Sequence, residues 1–360
     1  MTAQVLQIVP ELPPRLGGVG GYALALARAL RDHAGMETHF LVTDPAWRPA
    51  ETGETGVTGE RLPARSVRAL RGALTAAGRE GLPVLLHYAN YAYQRRGCPF
   101  WLVRTLEIRP SHRLVTFFHE VHAGGPPWRS SFWLAPLQRH LAARLARRSD
   151  RCATSLPLYR GLLEALAPGT DAVVLPVLSP LGEPAEVAPL AARHPRRLLV
   201  FGGPGARRRA YGERRGDLAA ACAALEITEI LDIGAPLDPA PPAAIAGVPV
   251  HLCGPLPDAA ASRLFAEAFA GFLAYPPAFL GKSTIFAACS SHGALPVSSW
   301  EGTEARPAPG LLWSPGDPAG AADVQAVASA ARAWYLDHAA PTAAAAFHQL
   351  LLPGPAAVAS

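Results

Sequence analysis

The chain has 360 residues, half of them hydrophobic and 17% charged, with 33 Lys and Arg against 28 Asp and Glu for a net charge of +5. That balance excludes a disordered chain, and the length favours two hydrophobic cores over one. No run of about 18 uncharged apolar residues offers a spanning helix, residues 1–10 lack a basic n-region, and Cys98, Cys152, Cys222, Cys253 and Cys289 form no CxxC pair. We therefore expect a cytoplasmic protein with reduced thiols.

In chain order, strands are predicted over 4–9, 37–43, 84–88 and 113–118, with 152–155 and 172–175 completing a sheet. Between them, 22–33 and 131–148 carry helical apolar stripes, the second through Leu134, Leu137, Leu141 and Leu145. Periodicity then lapses in proline-rich sequence. A second alternation follows: strands at 197–201, 229–233, 249–252, 271–274 and 295–298, helices at 217–225, 259–269 and 284–292, and terminal helices over about 321–351. Strands alternating with helices predict the α/β class with parallel sheets. The expected layout is a domain over 1–180, a linker over 181–195, a second domain over 196–330, and helices in 331–360 returning to the first domain.

Four segments carry candidate chemistry. Residues 16–22 (Leu-Gly-Gly-Val-Gly-Gly-Tyr) place Gly18, Gly20 and Gly21 before a helix, where backbone N–H groups approach a ligand. Seven residues separate Val9 from Gly17, and no acidic residue closes the next strand, so the dinucleotide fingerprint is absent. His119 and Glu120 leave the end of an apolar strand, where open α/β sheets bind ligands, and are the candidate catalytic pair. A zinc set of His119, Glu120 and His122 fails, because adjacent strand residues point to opposite faces. No metal is expected.

Arg207, Arg208 and Arg209 follow a Gly-rich strand end and suit a pyrophosphate, although a solvated basic loop is the plain alternative. Lys282, the only lysine of the chain, precedes Ser283 and Thr284 at a predicted helix start, an arrangement that favours an anion. It is no P-loop, since the first glycine of that motif would fall on Pro276. Trp128, Phe132 and Trp133 precede Arg139, Arg144, Arg147, Arg148 and Arg151. They mark either a membrane-surface helix or, as we expect first, a helix with its apolar face to the core and its arginines to water. The arginines are scattered rather than interleaved with aromatics, so nucleic acid is not an expected partner.

In this order the segments resemble the large group 1 glycosyltransferases, retaining enzymes of GT-B architecture. The glycine loop of 17–22, His119 at a strand end, and 281–297 with its closing Ser-His-Gly-Ala-Leu-Pro-Val carry the likeness. The resemblance implies two Rossmann-like domains with parallel sheets facing across a cleft. It implies transfer from a nucleoside diphosphate sugar to the hydroxyl of a saccharide, lipid-linked sugar or natural product. No cofactor or metal is implied, and contact with the inner membrane surface is compatible with it. His119 would lie by the transferred sugar, the glycine loop would line the reaction centre, and Arg207 or Arg208 with Lys282, Ser283 and Thr284 would hold the donor phosphates. Gly281 and Ala288 stand where many relatives carry glutamates that hold the sugar and the ribose. A noncatalytic sugar-nucleotide- or partner-binding protein of this fold is therefore the alternative, and a nucleotide-sugar epimerase a further one.

Overall fold

Mostly apolar runs such as Val84–Tyr88 and Leu114–Phe118, buried at every position, are the signature of parallel strands covered on both faces. The computed structural model describes residues 3–13, 18–48, 57–76, 81–108, 113–299, 310–315 and 323–352. The chain divides into two units, Met1–Pro176 with Ala340–Ser360, and Val177–Ala339.

The first unit holds a seven-stranded sheet: β1 (Ala3–Val9), β2 (Met36–Val42), β3 (Val57–Arg61), β4 (Val84–Tyr88), β5 (Leu114–Phe118), β6 (Arg151–Thr154) and β7 (Ala172–Val174). Its order is β3-β2-β1-β4-β5-β6-β7, with every pairing parallel. The strand order reverses between β1 and β4, the position where sheets of this type bind ligands. Helices α1 (Gly18–Ala34), α2 (Val67–Thr75), α3 (Asn90–Tyr93), α4 (Phe100–Ile108), α5 (Ser130–Arg148) and α6 (Pro157–Leu166) make the connections. Ser66 starts α2 by accepting from Ala69 N–H at 3.2 Å, and Pro157 starts α6 with its fixed φ.

The second unit holds β8 (Arg197–Phe201), β9 (Glu229–Ile233), β10 (Ala244–Ile245), β11 (Val248–Gly254), β12 (Ala270–Leu273) and β13 (Leu295–Ser298) in the order β10-β11-β9-β8-β12-β13. Among the described residues only the β10–β11 pair is antiparallel. Its helices are α7 (Pro204–Tyr211), α8 (Arg215–Ala224), α9 (Asp258–Glu267), α10 (Thr284–Ser291) and α11 (Val324–Leu336).

Two expectations about the layout need correction. Residues 181–195 do not form a free linker, because long-range polar contacts fix them within the second unit. Tyr335 Oη accepts from Ser179 N–H at 2.8 Å and donates to Glu183 at 2.6 Å, and Gln325 takes the Leu190 N–H at 2.7 Å. Buried Arg193 donates to the carbonyls of Ala188, Phe265, Ala268 and His292. Of the terminal helices, α11 belongs to the second unit. Only α12 (Ala340–Leu351) lies in the first, packed on α1 and touching β5 through Phe347 and Phe117, whose rings are 5.6 Å apart. Among the described residues no helix is long and apolar enough to cross a membrane.

Candidate functional site

In the first unit the site grows from the carboxyl ends of the central strands. His119 follows β5 directly, and its N–H donates to the Tyr88 carbonyl of β4 at 2.9 Å, so the strand ladder fixes its backbone. The imidazole is buried, and its Nε2 lies 3.1 Å from Nδ1 of His87 on β4. His87 Nε2 in turn lies 2.7 Å from Gln7 Oε1 on β1, and Gln7 Nε2 donates to Thr38 of β2 at 3.2 Å. The carboxamide oxygen is an acceptor, so His87 carries its proton on Nε2 and offers Nδ1 to the His119 Nε2–H. Burial drives the His87 pKa down to about 3, which keeps this ring neutral.

Tyr22 of α1 covers the pair. Its ring stacks on Phe117 at 5.1 Å and meets His119 edge-on at 5.2 Å. Its buried hydroxyl, together with those of Thr43 after β2 and Ser155 after β6, finds no hydrogen-bond partner among the described residues. Buried polar groups are normally satisfied, and Thr43 and Ser155 stand at carboxyl ends of strands, where open α/β sheets bind ligands.

Glu120 is half-buried beside His119, and its N–H points at the same Tyr88 carbonyl at 3.4 Å. The loop beyond is pinned by buried Gln138 of α5, which accepts from Ala123 N–H at 2.8 Å and Asn90 at 3.0 Å. Gln138 also donates to Tyr91 Oη and the Arg96 carbonyl, each at 3.1 Å. The glycines divide by role. Gly20 is buried where a Cβ would stand 2.4 Å from the Glu11 carbonyl oxygen, so close packing explains it. Gly18 and Gly21 have open space in the first turn of α1, and Gly17 lies outside the described residues.

In the second unit the arginine run corrects the sequence reading. Gly203 and Pro204 start helix α7 rather than a loop, and helical phase then sends the three side chains different ways. Arg207 is buried and forms a two-pronged ion pair with Asp232 of β9, through Nε at 3.0 Å and through Nη2. Its guanidinium fits because Gly234, at φ +150°, leaves the space a Cβ would fill. Arg207 therefore serves the core and is not available to a phosphate. Arg208 is exposed, whereas half-buried Arg209 donates Nε to the Ala274 carbonyl at 3.2 Å, just past β12.

From that strand end the chain makes a short 3₁₀ turn, Pro277–Lys282, into α10. Ser283 is its N-cap: the hydroxyl accepts from Phe286 N–H at 3.2 Å while its own N–H donates to Leu280 at 2.8 Å. Ser283 is thus engaged by the fold. Lys282 and Thr284 are half-buried around the helix start. Arg209 and Lys282 are the cations that the second unit brings to the carboxyl end of β12 and the start of α10. The residues the sequence reading missed are His87 and Gln7; Tyr22 and Arg209 stood within motifs it had singled out, without the contacts found here.

No protein-family model and no curated protein matches the chain. Solved structures do. HepE of Anabaena, solved in complex with UDP and glucose, aligns at 11% identity over 97% of this chain and 99% of that one with a TM-score of 0.57. The chain has the GT-B fold. WaaG, a glycosyltransferase involved in lipopolysaccharide biosynthesis, aligns at 16% identity over 95% of each chain, with a TM-score of 0.51. A putative UDP-N-acetylglucosamine 2-epimerase from Listeria monocytogenes aligns at 14% identity over 84% of this chain and 81% of its own, also at 0.51. At these identities the likeness speaks to the fold alone, which hosts more than one chemistry.

Proposed function

We propose that the chain transfers a sugar from a nucleoside diphosphate sugar to an acceptor hydroxyl. The observation that carries the reading is buried His119, held in one tautomer by His87 and Gln7 at the carboxyl end of a GT-B sheet. The acceptor oxygen bonds to the anomeric carbon as the bond to the diphosphate oxygen breaks. The electron pair leaves with the nucleoside diphosphate, and the acceptor proton passes to the departing phosphate or to water. His119 lies by the transferred sugar, with Glu120 and the first turn of α1 beside it. Arg209, Lys282 and the N-terminal end of α10 neutralise the charge that develops on the leaving group. Because side-chain cations do this work, turnover needs no divalent cation and survives chelation. The five free cysteines fit a reduced, cytoplasmic setting.

Sugar-nucleotide binding without transfer is a second reading. Ala288 is fully buried on α10 and Gly281 lies in the preceding turn, so neither position supplies a carboxylate to a sugar or ribose. Thermal-shift screening against UDP-, GDP-, ADP- and dTDP-sugars, with assay of released nucleoside diphosphate, separates the two. Stabilisation with release supports transfer, and stabilisation without release under any acceptor supports binding alone.

A further inference from the structure

We propose that the outward face of α5 in the first unit docks on an anionic lipid bilayer. The sequence favoured a helix with its apolar residues inward, and the structure places its largest ones outside. Trp128 is 83% exposed and Trp133 71%, with Phe132 at 41% beside them. Along the helix the exposed face continues through Pro136, Arg139, His140 and Arg147, whereas Ala135, Gln138, Leu141, Ala142, Leu145 and Ala146 face the core.

Two features identify the occupant. The first is charge: from Val121 to Ser149 the chain has five arginines and no Asp or Glu. Arg144 is paired with Glu107 of α4, while Arg129, Arg139 and Arg147 are exposed and exposed Arg95 and Arg96 extend the basic surface. The Arg96 carbonyl is held to α5 by Gln138 Nε2 at 3.1 Å, so that extension is fixed. A protein partner of mixed charge would not call for a face on which exposed arginines so outnumber carboxylates, whereas anionic headgroups would. The second is the state of the aromatics. Trp133 Nε1 donates to the Pro127 carbonyl at 2.8 Å, and its ring meets Phe132 edge-on at 5.3 Å. The indole is therefore presented to solvent in a fixed pose with its polar atom satisfied, a preorganised wedge for the headgroup–acyl boundary. Aromatic wedge and basic flank together supply the two signals that stable interfacial binding needs. The proposal is independent of glycosyl transfer.

The test is sedimentation of the full chain with vesicles of phosphatidylcholine alone or mixed with phosphatidylglycerol. Binding is expected only to the mixed vesicles, weakening as salt rises. It should fall about tenfold or more in Trp128→Ser/Trp133→Ser and in Arg139→Glu/Arg147→Glu. These positions are exposed, and melting curves check that the variants are folded. In the unmodified protein, brominated acyl chains should quench tryptophan fluorescence, a readout that needs no variant. Absence of binding to mixed vesicles, or equal binding by the Trp variant, overturns the proposal. So does concentration-dependent self-association lost in Trp133→Ser, which would assign the face to a second copy of the chain.

Discussion

His87 Nδ1 stands 3.1 Å from His119 Nε2, and the far side of the His87 ring is held by Gln7 at 2.7 Å. Because His87 stays neutral, with its pKa driven by burial down to about 3, it acts on His119 as a fixed acceptor rather than a proton donor. His87→Leu deletes that acceptor and leaves the His119 Nε2–H buried without its partner, at a cost of about 1–3 kcal/mol. Nitrogen chemical shifts should show His119 as the Nε2–H tautomer in the native chain and as a tautomer mixture in the variant. An unchanged tautomer would show that His87 does not orient it.

Arg207 and Asp232 should behave as a core pair. Removing either partner alone leaves an uncompensated buried charge, so Arg207→Ala or Asp232→Asn is expected to destabilise the second unit by about 3–5 kcal/mol. Replacing both by apolar residues of similar size should recover most of that loss, as read by denaturant unfolding. Equal unfolding midpoints for the native chain and Arg207→Ala would contradict the assignment.

The glycines of α1 should separate in melting experiments. Gly20→Ala places a methyl 2.4 Å from backbone oxygen that has no rotamer to yield, and should cost about 1–3 kcal/mol. Gly21→Ala meets open space within the helix and should gain about 0.5–1 kcal/mol. Loss of turnover in a stabilised Gly21→Ala would place that turn against a ligand, and full turnover would remove it from the site.

Stability should fall in mild acid. Burial lowers the pKa of His87 to about 3 and those of His292 and His338 to about 4, all below the ordinary 6.5. Between those values and 6.5 the unfolded chain binds protons that the folded chain refuses. The stabilisation is therefore complete above 6.5 and is lost as pH falls, by about 1.4 kcal/mol per pH unit for each histidine. The second unit holds two of the three, so its transition should shift more steeply than that of the first between pH 6.5 and 4.5. A flat melting temperature over that window would contradict this.

Much of the fold was readable because parallel strands are mostly apolar runs, and those at 84–88 and 197–201 have the observed bounds. His119 was visible at a strand end for the same reason. His87 and Gln7 also left a signal, each a polar residue amid the apolar part of a strand, which has to be satisfied by something. The arginine run was misjudged because three consecutive residues serve equally well on a loop, and only the helix begun at Pro204 sends Arg207 inward and Arg209 to the strand end. Residues 181–195 gave no periodicity because their partners are remote: Tyr335 reaches back 152 positions to Glu183. Trp128 and Trp133 defied the rule that large apolar residues go inside, which holds in one direction only.

Transfer itself is tested most directly by following nucleoside diphosphate release from UDP-, GDP-, ADP- and dTDP-sugars in the native chain and in Arg208→Ala, Arg209→Ala and Lys282→Ala. One donor should stabilise the native chain and be turned over. Exposed Arg208 should be dispensable, and loss of Arg209 or Lys282 should cost about 100-fold or more, as removal of a transition-state charge does. A native chain that neither binds nor turns over any of these donors would contradict the assignment.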